Sequence, residues 1–105
     1  MRAVWYQRRV SEYANELDEN FANLIVYVGQ MAAMAFGDLP DASGERGEPN
    51  IEAAGMFIEM LGMLQEKTRG NLTAAEAKVL EDLVYDLRMR YVQVQQGGQK
   101  RIIEP

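Results

Sequence analysis

The chain has 105 residues, 48% hydrophobic and 26% charged, with a formal net charge of −5. That is one ordinary globular domain, too short for a catalytic domain plus a separate binding domain. It contains no cysteine and no histidine, which excludes disulfide frameworks, thiolate metal sites, cysteine nucleophiles and any triad built on imidazole. A sequence pI near 4.7 argues against nucleic acid as a partner, because phosphate binding is driven by clustered cations.

The first ten residues are basic (Arg2, Arg8, Arg9), but Glu12, Glu16, Asp18 and Glu19 precede the first long apolar stretch. That order does not make a secretory signal, so a cytoplasmic protein is expected. Residues 1–10 read as an N-terminal extension. Trp5 among its arginines suggests a lipid or nucleic-acid arm, set against the plainer reading of a terminus that frays or docks on its own chain.

Val10, Ala14, Leu17, Phe21, Leu24, Val28, Met31 and Ala35 alternate four and three apart, which places them on one helical stripe. The spacing predicts a helix over about 11–36, ended by Gly37 and the Leu39-Pro40 pair. Residues 21–37 carry no charge. They fall short of the roughly 20 apolar residues of a spanning helix, so a helix buried among helices is favoured. Membrane-surface association through residues 1–36 is the weaker alternative. The loop over 37–50 holds three glycines, two prolines and five charges, a solvated, mobile connector by composition. Its acids lack the calcium-loop spacing.

Asn50 is a suitable N-cap for a second helix over about 51–69. Lys67 and Arg69 stand in its last turn, and Gly70 is suited to close it in the left-handed conformation. Thr73 and Glu76 form a capping-box pattern that opens a third helix over about 74–95. Leu80, Val84, Leu87, Tyr91 and Val94 mark its apolar stripe, and Gly97-Gly98 are expected to stop it. Residues 97–105 are then a flexible tail after a single domain over 11–96. The connection around Asn71 is so short that helices two and three must form an antiparallel hairpin. The fold class is all-α: three helices, completed as a bundle by homo-oligomerisation.

That last step rests on the helix faces. On helix two, Glu52, Glu59 and Glu66 fall within about 40° of one another. Nearly everything else between Ala53 and Leu64 is apolar or glycine. One packed neighbour needs an apolar arc of only about 100°, so a monomer of this size leaves some of it uncovered. A two-fold dimer through helices one and two is expected, with Phe57, Met56, Met60, Met63, Leu64, Val28 and Met31 at the interface. Methionine suits such a surface because its flexible side chain fills irregular gaps, although simple core filling explains it too. Gly55 and Gly62, seven apart, allow two helix backbones to approach; the alternative is that they are merely tolerated in the helix at a cost of about 1 kcal/mol each.

Catalytic chemistry has thin support. Glu59, Glu66, Glu81 and Asp82 offer carboxylates on two helices, loosely like a metal-dependent phosphohydrolase. A solvated charged face is the simpler explanation, since Asp86 and Arg90 make an ordinary i,i+4 pair. No enzyme activity, metal or cofactor is expected. An unidentified protein partner is compatible with the Met-rich face.

The run Glu66-Lys67-Thr68-Arg69-Gly70-Asn71-Leu72-Thr73, followed by Leu80 to Val92 with its Leu87-Arg88-Met89-Arg90-Tyr91 segment, resembles a small bacterial family, domain-of-unknown-function family 1844. The resemblance spans about residues 21–92 and implies a cytoplasmic helical protein without supplying an activity. Within the motif, Gly70, Thr73 and Glu76 are explained by capping. Glu66, Asn71, Tyr85, Arg88 and Arg90 are not, and they form the candidate family-motif site.

Overall fold

The computed structural model describes residues 17–103, with side chains through residue 97. It holds three helices in order: α1 (Glu19–Ala35), α2 (Ile51–Lys67) and α3 (Ala74–Ile103). The N-terminal arm around Trp5 and most of the expected N-terminal extension of α1 lie outside the described residues.

Local capping sets each boundary. α1 starts at Glu19, because Asp18 is extended (φ −65°, ψ 128°) and its side chain accepts the Phe21 N–H at 3.0 Å. This corrects the expected start near residue 11: Leu17 and Asp18 stand outside the helix. An aspartate cap followed by Glu19 satisfies orphan amides and favours the positive helix end, whereas an apolar stripe carries no information about where hydrogen bonding begins. At the other end Gly37 has φ +81°. Its N–H donates to the Met34 carbonyl, and the Asp38 N–H donates to the Ala33 carbonyl, both at 2.9 Å. This is the Schellman closure, which favours glycine at its left-handed position.

The Asn50 N–H donates to the Ala35 carbonyl at 2.6 Å, which ties the mouth of the loop and turns α2 back along α1. The loop itself is exposed but locally ordered. Asp41 Oδ1 accepts the Ser43 hydroxyl, the Ser43 N–H and the Glu45 N–H. These bonds hold the Asp41 carboxyl below the usual carboxylate range, the Ser43 hydroxyl contributing most. The composition alone suggests a mobile connector; the aspartate side chain instead organises a turn.

Asn50 caps α2 by accepting the Ala53 N–H at 3.1 Å. The helix ends at Lys67 with Thr68 as C-cap, so Gly70, at φ +88°, lies one position beyond its expected place. There it forms the turn in which the Asn71 N–H donates to the Thr68 carbonyl at 2.8 Å. α3 then runs antiparallel to α2 and passes through Gly97-Gly98 to Ile103, against the expected stop. Glycine costs about 1 kcal/mol in a helix. It ends one only when it turns left-handed, and Gly97 does not.

The core joins all three helices: Ile25, Ala32 and Phe36 from the α1 segment, Ala54, Ile58 and Leu61 from α2, and Val79, Leu80, Leu83, Val84 and Leu87 from α3. At 1.5 Å per residue α3 is about 45 Å long and the other two about 25 Å. Among the residues whose side chains are described, Val94 is the last of α3 packed on the core. The radius of gyration is 14.8 Å, against about 13 Å for a compact domain of this length.

Candidate interaction surface

Two polar clasps lock the helices and fix which faces remain free. At one end Glu76 is 6% exposed and completes the capping box. Its Oε1 accepts the Thr73 N–H at 2.9 Å, and the Glu76 N–H donates to Thr73 Oγ1 at 3.1 Å. Its second oxygen accepts the Asp18 N–H at 2.8 Å. One carboxylate thus caps α3 and anchors the start of α1. The Asp18 amide, then the Thr73 amide, hold the Glu76 carboxyl below its ordinary range, with burial opposing.

At the other end the Arg90 fork grips Asp38, Nε to Oδ2 at 2.9 Å and Nη2 to Oδ1 at 2.6 Å. The guanidinium carbon lies 5.9 Å from the Phe36 ring centre, within cation–π range. The Asp38 carboxylate raises the Arg90 pKa above its ordinary value. Spacing alone suggested Asp86 as the partner of Arg90; the guanidinium goes to Asp38, 52 positions away.

The glycines of α2 serve contacts inside the protomer. A Cβ on Gly55 would lie 3.1 Å from Tyr91 Cε2, and one on Gly62 would lie 3.2 Å from Arg88 Nη2. Both glycines therefore let α3 side chains lie against the α2 backbone. A cleft of about 380 Å³ follows, lined by Gly55, Ile58, Glu59, Arg88, Tyr91 and Val92.

The expected interface residues divide by helical phase. Val28, Phe57 and Leu64 pack partly on the protomer's own core, and Met31 is half-buried. Met56, Met60 and Met63 are 49%, 43% and 51% exposed. At 100° per residue they span about 60° and point roughly opposite to buried Ala54, Ile58 and Leu61. Leu24 and Tyr27 on α1 are also exposed, as are Tyr85, Met89 and Val92 on α3.

The family-motif residues do not converge. Arg90 serves the Asp38 clasp, while Arg88 borders the α2–α3 cleft. Tyr85 points outward, and Asn71 is exposed in the turn. Glu66 pairs with Arg69 at 2.8 Å. The carboxylates suggested for phosphoryl chemistry are likewise dispersed. Glu59 borders one cleft, Glu66 and Glu81 border another, and Asp82 pairs with Lys78 at 3.2 Å. Among the described residues no three acidic side chains gather where one ion could bind, and no helix is long and apolar enough to cross a membrane. Asp18 and Asp38 are the structural residues that spacing missed, since nothing local links them to partners 58 and 52 positions away.

Residues 18–93 match the family model described as Domain of unknown function (DUF1844). The match begins at the residue that caps α1 and runs through both clasps and the α2–α3 hairpin. No curated protein and no solved structure matches the chain.

Proposed function

The chain belongs to the DUF1844 family, and on that premise we propose that it is a cytoplasmic association module that pairs with a second copy of itself. The observation that carries this reading is the outward row Met56, Met60 and Met63, each about half exposed on the face of α2 opposite the core. Apolar side chains in such a row gain about 25 cal/mol for each Å² removed from water, and methionine adapts to the opposing surface. Leu24 and Tyr27 on α1 are further exposed apolar side chains, and a stable interface buries about 800 Å² per partner. On this reading the chain binds rather than catalyses. The dispersal of Glu59, Glu66, Glu81 and Asp82 supports that.

Sedimentation at micromolar concentration, comparing the parent chain with Met60→Glu, tests the reading. The parent is expected to sediment as a dimer and the variant as a folded monomer. A parent that stays monomeric contradicts the proposal.

A further inference from the structure

The cleft between α2 and α3 is a separate feature from the outward methionine row, and its chemistry does not depend on self-association. We infer that this cleft binds a free α-amino acid with a large apolar side chain, its carboxylate on Arg88 and its ammonium on Glu59.

The lining supplies three different surfaces. Ile58 and Val92, with the Tyr91 ring, form apolar walls. Arg88 is the one cation of the lining and Glu59 the one anion. Neither makes a hydrogen bond or an ion pair among the described residues. Arg88 is also a residue of the sequence motif that capping leaves unexplained, whereas Arg90 of the same motif is taken up by Asp38. Two glycines open the floor. The Arg88 guanidinium rests on the α2 backbone at Gly62, where a Cβ would stand 3.2 Å from Nη2, and the Tyr91 ring rests at Gly55, where a Cβ would stand 3.1 Å from Cε2. These glycines are about 10 Å apart along the helix, and Glu59 stands on the turn between them. The volume of about 380 Å³ is at the small end of ligand clefts, which run from roughly 300 to 1,000 Å³. That suits a molecule of amino-acid size.

Charge narrows the class further. Glu59 opposes a phosphate or other polyanion, and Arg88 opposes a simple amine. A zwitterion satisfies both, and a guanidinium holds a carboxylate through two parallel hydrogen bonds. Arg88 and Glu59 are exposed at the rim, where charged contacts contribute little each. The apolar side chain of the ligand, lying on Ile58, Tyr91 and Val92, therefore supplies much of the affinity, and glycine is expected not to bind.

NMR titration of the full chain with L-phenylalanine tests this, followed at the Gly55 amide and the Tyr91 ring. Saturable shifts at both are expected. 3-Phenylpropionate, which lacks the ammonium, and 2-phenylethylamine, which lacks the carboxylate, are each expected to bind about tenfold more weakly. Arg88→Gln and Glu59→Gln are each expected to weaken L-phenylalanine about tenfold with the thermal midpoint unchanged. The variants also separate the two contacts. Arg88→Gln is expected to abolish the preference for L-phenylalanine over 2-phenylethylamine, and Glu59→Gln the preference over 3-phenylpropionate. Absence of any saturable shift at millimolar L-phenylalanine overturns the inference. Equal binding of all three probes overturns it too, as does binding that survives both substitutions unchanged.

Discussion

Replacing Glu76 by glutamine tests the clasp that holds α1 to α3. The carboxylate accepts two backbone N–H groups, from Thr73 and Asp18, at 2.9 and 2.8 Å. Glutamine keeps one acceptor oxygen and turns an NH₂ toward the other amide, so one bond is lost and two donors face each other. Hydrogen bonds to charged groups contribute about 1.5–3 kcal/mol each, and partial access of water to a cap reduces that, so the expected loss is about 1–2 kcal/mol. For a domain of this size that lowers Tm by roughly 5–15 °C. The effect has a definite pH signature. The folded-state pKa of Glu76 is depressed below its ordinary 4.5. The contribution is therefore fully present above the unfolded value and is lost as pH falls through the lower, folded one. Urea unfolding of parent and variant is the assay, at one fixed protein concentration because association adds to apparent stability. The stability difference is expected to be largest near neutral pH and to shrink as pH falls below the ordinary 4.5 of the carboxyl. A difference that is absent, or constant with pH, refutes the role given to this carboxylate. Hydrogen exchange at the Asp18 amide provides a local check, with protection in the parent and its loss in the variant.

Three further outcomes follow from the packing. Gly37→Ala is expected to cost about 1–2 kcal/mol by thermal unfolding, because it puts a Cβ on a left-handed residue and 3.0 Å from the Gly47 carbonyl oxygen. Arg90→Lys, which keeps the charge but loses the two-pronged grip on Asp38, is expected to cost about 1 kcal/mol, read from the urea midpoint. Gly55→Leu is expected to displace Tyr91 from the α2 backbone and destabilise by about 1–3 kcal/mol; unchanged Tyr91 ring signals by NMR would contradict that contact.

The sequence made the local parts of this fold legible and left the distant ones hidden. Asn50, and the Thr73–Glu76 box, act over three residues, so their spacing carried their roles. The start of α1 misled because the apolar stripe from Val10 to Ala35 runs through Leu17 without a break, while the actual stop is a single side-chain bond from Asp18 to the Phe21 amide. Gly97-Gly98 misled in the opposite sense, since composition cannot reveal whether a glycine turns left-handed. Arg90 was singled out by its motif, but its partner lay across the fold. Gly55 and Gly62 were legible as sites of close approach, though the approach is to Tyr91 and Arg88 of the same protomer. The excess of apolar surface on α2 was legible because it is a count, and the exposed Met56, Met60 and Met63 are its structural counterpart.

Sedimentation equilibrium of the full chain over micromolar concentrations tests the central claim most directly. The account predicts a mass approaching twice the 11.9 kDa of one chain, falling toward one chain on dilution. A mass that stays at that of a single chain throughout, with Met56, Met60 and Met63 still open to solvent, contradicts it.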